Sequence, residues 1–210
     1  MYSAFAALSK YAGRADSLIF FNSSRFTKWG LLPRIPVTLA RTAEDKLILA
    51  RLGLASSYLW MNDSSVRRSG ISNEELDSKV SRPSGQIRDM FCPLGVANHP
   101  DHVAVRDVAL KIWQAELKRP QLYFYEDLPY AARIKNVDQE IERCIKTISG
   151  SCRKLSIRYW PLSKQLFKRK LFFSRLYLTQ NDHTKVLEQH ARELGSMSGF
   201  AYAERYVYAE

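Results

Sequence analysis

The segment "CPLGVANHPDHVAVRDVAL", Cys92 to Leu110, sets His99 and His102 three residues apart around Pro100 and Asp101. Imidazoles exchange protons near neutral pH and are the commonest metal ligands, and a carboxylate beside them can orient a ring or accept a proton. Part of the motif has a plainer reading. Asn98 suits a helix N-cap, Pro100 the first turn and Asp101 the positive end of a helix dipole. Capping accounts for neither histidine. In the first turn, the dipole disfavours protonation of His102 and keeps a neutral ring able to bind metal. A catalytic zinc takes three protein ligands and a water, so the pair alone leaves acid–base chemistry and metal binding as open alternatives.

These residues must be positioned by the elements around them. The first ten residues alternate small and apolar groups at helical spacing (Ala4, Phe5, Leu8), and "ADSLIFFN" reads as a short, fully buried strand. "NSSRFTKWGLLPRIP" reads as a loop punctuated by Gly30, Pro33 and Pro36. "TAEDKLILARLG" has helix marks, with Thr42 as N-cap and Gly53 as terminator. "SSYLWMND" is a second strand ending at Asp63. Residues 64 to 84 read as a loop with a short helix over "NEELDSKV". "MFCPLGV" is a third strand running into the histidine motif, which opens the helix "HVAVRDVALKIWQAEL". "QLYFYEDLPY" is a fourth strand ending in Glu126 and Asp127. A helix over "VDQEIERCIKTIS", a strand over "CRKLSIRYWPL" and mainly helical sequence up to "YAERYVYAE" complete the chain.

Strands separated by helices point to an α/β domain with a largely parallel sheet. In such sheets, functional loops gather at the carboxyl ends of the strands, where Asp63, His99, His102, Glu126 and Asp127 all fall. Glu126, Asp127 and Tyr130 are therefore candidates for the mouth of a pocket, against a solvated turn before Pro129. His183 and His190, seven apart, fit one side of a helix two turns apart and are expected to face solvent. Cys92, Ile112 and Trp113 read as core.

The 210 residues suit one domain, with 46% hydrophobic and 25% charged residues, as in a folded rather than a disordered chain. Lys and Arg exceed Asp and Glu by 32 to 21, a net charge of +11. Ten of the cations lie between residues 143 and 181, which contain no acid. Such a run could meet nucleic acid, an anionic surface or a phosphorylated molecule, or be a solvated face. Three cysteines with no C-x-x-C pair favour a reducing compartment, and no apolar run reaches a membrane span's length. A cytoplasmic location is expected.

"PLGVANHPDHVAVRDVAL" followed by "LYFYEDLPYA" resembles the PIG-L/LmbE-like zinc-dependent N-deacetylases, which remove an acetyl group from an N-acetylglucosamine unit or a related amide. The resemblance extends to "RTAEDKLILARLG", "YLTQ" and "AERY", and so covers nearly the whole chain. It implies a single Rossmann-like three-layer domain spanning residues 1–210. It also implies His102 as a Zn2+ ligand, His99 as the imidazole that stabilises the oxyanion or protonates the leaving amine, and Asp101 as the carboxylate orienting it. Arg41 and Asp63 would bind sugar hydroxyls. The implied partner is a small-molecule amino-sugar conjugate; a homo-oligomer is compatible with this, and nucleic acid is not the expected partner.

The chain departs from the family at its start. Members begin with a strand ending in His-Pro-Asp-Asp or His-Leu-Asp-Asp, which supplies a zinc-binding His, a zinc-binding Asp and the general base, and this chain has no His-x-Asp-Asp. The expectation is an N-terminally truncated sheet lacking its first strand, with an incomplete Zn2+ site and doubtful activity. Two alternatives follow: an inactive remnant or binding module, and a nucleic-acid or anionic-surface binder acting through residues 143–181.

Overall fold

The computed structural model describes residues 15–67, 73–80, 87–152, 154–180 and 182–209. The helical spacing of the first ten residues lies outside them. Strands β1 (Asp16–Ser23) and β4 (Ala55–Asn62) form a parallel pair. Between them come the two-residue strands β2 (Phe26–Thr27) and β3 (Gly30–Leu31), which make a hairpin, and helix α1 (Arg34–Arg51). Helix α2 (Asn73–Lys79) precedes β5 (Asp89–Pro93), helix α3 (Pro100–Ala115) and β6 (Gln121–Tyr125). Helix α4 (Val137–Ile148), β7 (Leu155–Pro161), helices α5 (Lys164–Arg175) and α6 (Thr184–Ser198), and β8 (Ala203–Ala209) complete the order. The second sheet runs β5-β6-β8-β7, with β5 and β6 parallel and β8 antiparallel to both its neighbours.

Among the described residues the two sheets share no ladder, and α3 bridges them. Its Val108 packs with Phe20 of β1 and Met61 of β4, while its Ala109, Leu110 and Trp113 join Cys92, Leu122 and Phe124 of the second sheet. The carboxyl ends of both parallel pairs meet at one edge, where the Ser64 N–H donates to Asp101 at the start of α3. Period-two alternation divides β6 between two faces: Leu122 and Phe124 enter the α3/α4 core, and Tyr123 stacks in an aromatic cluster with Phe91, Tyr206 and Tyr208.

Several local expectations need correcting. Helix α1 starts at Arg34, not Thr42, because Pro33 and Pro36 fall at its N-cap and first turn, where no backbone N–H is required. Thr42 is a buried residue inside the helix, its hydroxyl donating to Thr38 O at 2.8 Å. Strand β1 is not fully buried: Asp16 and Leu18 are exposed, and only Phe20 and Asn22, in the half that α3 covers, are enclosed.

Gly195 in α6 lets the helix meet the following turn. A Cβ there would lie 2.7 Å from Phe200 O and 2.8 Å from Tyr202 N, both backbone atoms that cannot swing aside. Gly195→Ala is expected to cost about 3 kcal/mol and lower the melting temperature by about 6–12 °C, measured by thermal denaturation.

Candidate active site

The strand-to-helix connection after β5 delivers the two histidines. Leu94 N–H extends the ladder to Tyr125 O, and then Gly95, Ala97 and Asn98 all adopt positive φ, at 84°, 63° and 53°. A Cβ at Gly95 would also meet Arg106 Nη1 at 2.9 Å, so the Arg106 guanidinium would have to shift. Left-handed Ala97 is costly for a residue with a Cβ, and such strain gathers where a loop is held to a task. The loop is held from outside: Val96 N–H donates to Asp127 Oδ2 at 2.6 Å and Ala97 N–H to Glu140 Oε1 at 3.0 Å. His99, not Asn98, is the N-cap residue, and Pro100 takes the first helical position.

This turn brings three rings together. His99 and His102 have centroids 4.7 Å apart, and Tyr130 lies 5.3 Å from His99 and 5.6 Å from His102. The His102 Nδ1 is 2.8 Å from Asp127 Oδ1, a close contact that is not aligned as a hydrogen bond. With Nδ1 facing a buried carboxylate, Nε2 is the nitrogen that remains for a metal or substrate. His99 Nδ1 is buried with no hydrogen-bond partner. Burial first, and then the neighbouring His102, pull the His99 pKa below the ordinary imidazole value, so the ring is neutral at pH 7. Burial raises the Tyr130 phenol above its ordinary range, with Asp101 adding to the effect, and keeps it a proton donor.

The remaining candidates divide between this cluster and its support. Asp101 is buried and held by Arg67 and by Ser64 N–H at 3.1 Å, rather than by His99. Arg41 and Asp63 pair with each other at 3.5 Å, and Asp63 also accepts from Ser65 N–H at 2.9 Å. Asp127 is not at the pocket mouth: it is enclosed and faces inward to His102 and Val96. Glu126 is likewise enclosed, bound to Arg205 and, at 2.5 Å, to His190 Nε2. Tyr130 alone of those three is partly exposed, beside the histidines.

His183 and His190 do not face solvent as expected. His190 is buried on Glu126, and His183 Nδ1 lies 2.9 Å from Arg133. Sequence reasoning missed Arg67, Glu140 and Arg205; each pairs with a residue at least 34 positions away or with a backbone N–H, so no spacing betrays it. The cations of residues 143–181 are partly absorbed by the fold. Lys170 is buried against Glu204 at 2.7 Å, Arg143 binds Glu140, Arg158 covers the Tyr208 ring and Arg169 the Phe173 ring. Burial pushes the Cys92 thiol well up, so it is a core residue and not a thiolate ligand.

Among the described residues no group of three His, Cys, Asp or Glu side chains is arranged to hold a metal. His102, oriented by Asp127, fits the part of one ligand, short of the three that a catalytic zinc takes.

No protein-family model and no curated protein matches the chain. Solved structures do. The A40926 pseudoaglycone deacetylase Dbv21 superposes with a TM-score of 0.68 at 20% identity, over 98% of this chain and 90% of that one. A deacetylase of the teicoplanin biosynthesis pathway gives 0.69 at 19% identity, over 100% of this chain and 93% of that one. The N,N'-diacetylchitobiose deacetylase from Pyrococcus horikoshii gives 0.66 at 14% identity, over 99% of this chain and 78% of that one. The chain therefore shares the layered α/β fold of these deacetylases.

Proposed function

We propose that this chain is an N-deacetylase of the PIG-L/LmbE type, hydrolysing the N-acetyl amide of an amino-sugar conjugate. The observation that carries the reading is the cluster of His99, His102 and Tyr130 at the carboxyl end of parallel strands, with His102 backed by the enclosed Asp127. The deacetylases that share the fold support it, one being named for A40926 pseudoaglycone, one for the biosynthesis pathway of teicoplanin and one for N,N'-diacetylchitobiose.

In amide hydrolysis the C–N bond breaks, water supplies the new C–O bond, and the amine leaves with the proton that water gives up. His99, neutral and unpartnered at Nδ1, is the group suited to carry that proton to the leaving nitrogen. Tyr130 offers its phenol to the same space, and Arg41 with Asp63 supplies hydrogen-bonding groups for sugar hydroxyls. His102 is proposed as one Zn2+ ligand, with Asp127 facing its Nδ1.

The test is acetate release from N-acetylglucosamine, N,N'-diacetylchitobiose and a lipid-linked N-acetylglucosamine, with added zinc and with chelator. Chelator-sensitive release, lost in His99→Gln, is the expected result. Sugar binding by calorimetry without any release would instead support a binding module, the reading that a single metal ligand among the described residues favours.

A further inference from the structure

We infer that the β2–β3 hairpin and the first turns of α1 form a docking surface for an anionic lipid bilayer. Trp29, Leu31, Ile35, Leu39 and Leu178 are each 60–68% exposed. All but Leu178 lie within eleven consecutive residues of the chain, and the Lys28 N–H bond to Thr179 O, 2.8 Å, brings Leu178's segment beside the hairpin. Ile35 and Leu39 share one face of α1, one turn apart. This is more bare apolar side chain than a monomer ordinarily leaves in one place.

The exposure is built in by a braced hairpin. Phe26 pairs with Leu31 and Thr27 with Gly30, the Thr27 hydroxyl donates to Gly30 O at 2.9 Å, and Leu32 N–H donates to Arg25 O at 2.9 Å. With the backbone so held, Trp29 and Leu31 remain at the surface.

Charge selects the partner. Residues 17–43 contain Arg25, Lys28, Arg34 and Arg41 and no acid, within a chain of net charge +11. Arg41 is paired with Asp63, which leaves Arg25, Lys28 and Arg34 to rim the apolar groups; Lys28 Nζ sits 4.6 Å from the Trp29 ring centroid. Aliphatic and indole side chains interleaved with cations match the boundary between acyl chains and anionic headgroups, where the apolar parts insert and the cations reach the phosphates. Nucleic acid would use the cations but leave the aliphatic groups in water. No helix among the described residues is long and apolar enough to cross a membrane.

The surface is continuous with the candidate site. An open groove lined by Arg25, Leu31, Leu32, Pro33, Arg34 and Val66 includes one residue of the loop whose Ser64 and Arg67 hold Asp101. A docked bilayer would bring lipid-borne molecules to that loop, whatever chemistry the site performs.

The experiment is co-sedimentation of the full-length protein with vesicles of phosphatidylcholine alone and with vesicles in which roughly one lipid in four is phosphatidylglycerol. Binding at least about tenfold tighter to the anionic vesicles, weakened by salt, is expected. Trp29→Ser/Ile35→Ser/Leu39→Ser should lose about tenfold or more of it while keeping the wild-type thermal transition. Should that variant fail to fold, brominated lipid is expected to quench the wild-type tryptophan emission and to lose that effect in Trp29→Phe. Absent binding, or equal binding by wild type and a folded variant, overturns the inference. So does a concentration-dependent dimer, or salt-sensitive DNA retention, that the same substitutions abolish.

Discussion

Asp127→Asn is expected to lower amide hydrolysis by about 100-fold while leaving thermal stability almost unchanged. The carboxamide keeps an oxygen for Val96 N–H, now 2.6 Å from Oδ2, and so preserves the loop. What changes is the group opposite His102 Nδ1, 2.8 Å away. A carboxylate there favours the tautomer with hydrogen on Nδ1 and the lone pair on Nε2; an amide N–H reverses the preference and occupies Nε2 with the proton. His102→Ala should abolish hydrolysis outright, as the ring itself is then gone. The tautomer gives a readout that does not need activity: nitrogen chemical shifts of the His102 ring should exchange their Nδ1 and Nε2 signatures in Asp127→Asn. An unshifted ring with unchanged turnover would show that Asp127 merely fills space.

Lys170→Met is expected to destabilise the fold by about 3–5 kcal/mol, a large share of the roughly 5–15 kcal/mol that holds a domain together. Lys170 Nζ and Glu204 Oε1 are 2.7 Å apart with both side chains almost wholly enclosed, and the Tyr206 hydroxyl donates to the other Glu204 oxygen at 2.6 Å. Removing the ammonium takes the cation away from a buried carboxylate, and most of the cost lies in that charge. The double variant Lys170→Met/Glu204→Leu should recover most of the loss, because it strands no charge. Urea denaturation of the wild type, both single variants and the double variant closes the cycle. A single-variant loss below about 1 kcal/mol would mean that water already reaches the pair.

Much of the layout was legible because the patterns are local. The histidine motif was read at the carboxyl end of a strand, with Pro100 opening a helix, since a proline's fixed φ and missing N–H suit that position wherever it occurs. Leu122, Phe124, Cys92 and Trp113 lie in the core as their apolar character within strand and helix patterns implies. The α1 boundary is not legible locally, because two prolines in four residues suit a loop or a helix start equally well; in the structure Val37 is buried in the first turn.

The amino-acid sequence by itself determined the α/β alternation, the two imidazoles three residues apart and the excess of cations, each a property of neighbouring residues and backbone periodicity. Tertiary structure decided which carboxylates face the histidines. Glu126 and Asp127 are adjacent and chemically alike, yet Asp127 meets His102 and Glu126 turns to His190 and Arg205, 64 and 79 residues away. Both follow the last residue of β6, Tyr125, and turn to different partners. What waits for each follows from sheet order and helix placement, which no local pattern encodes.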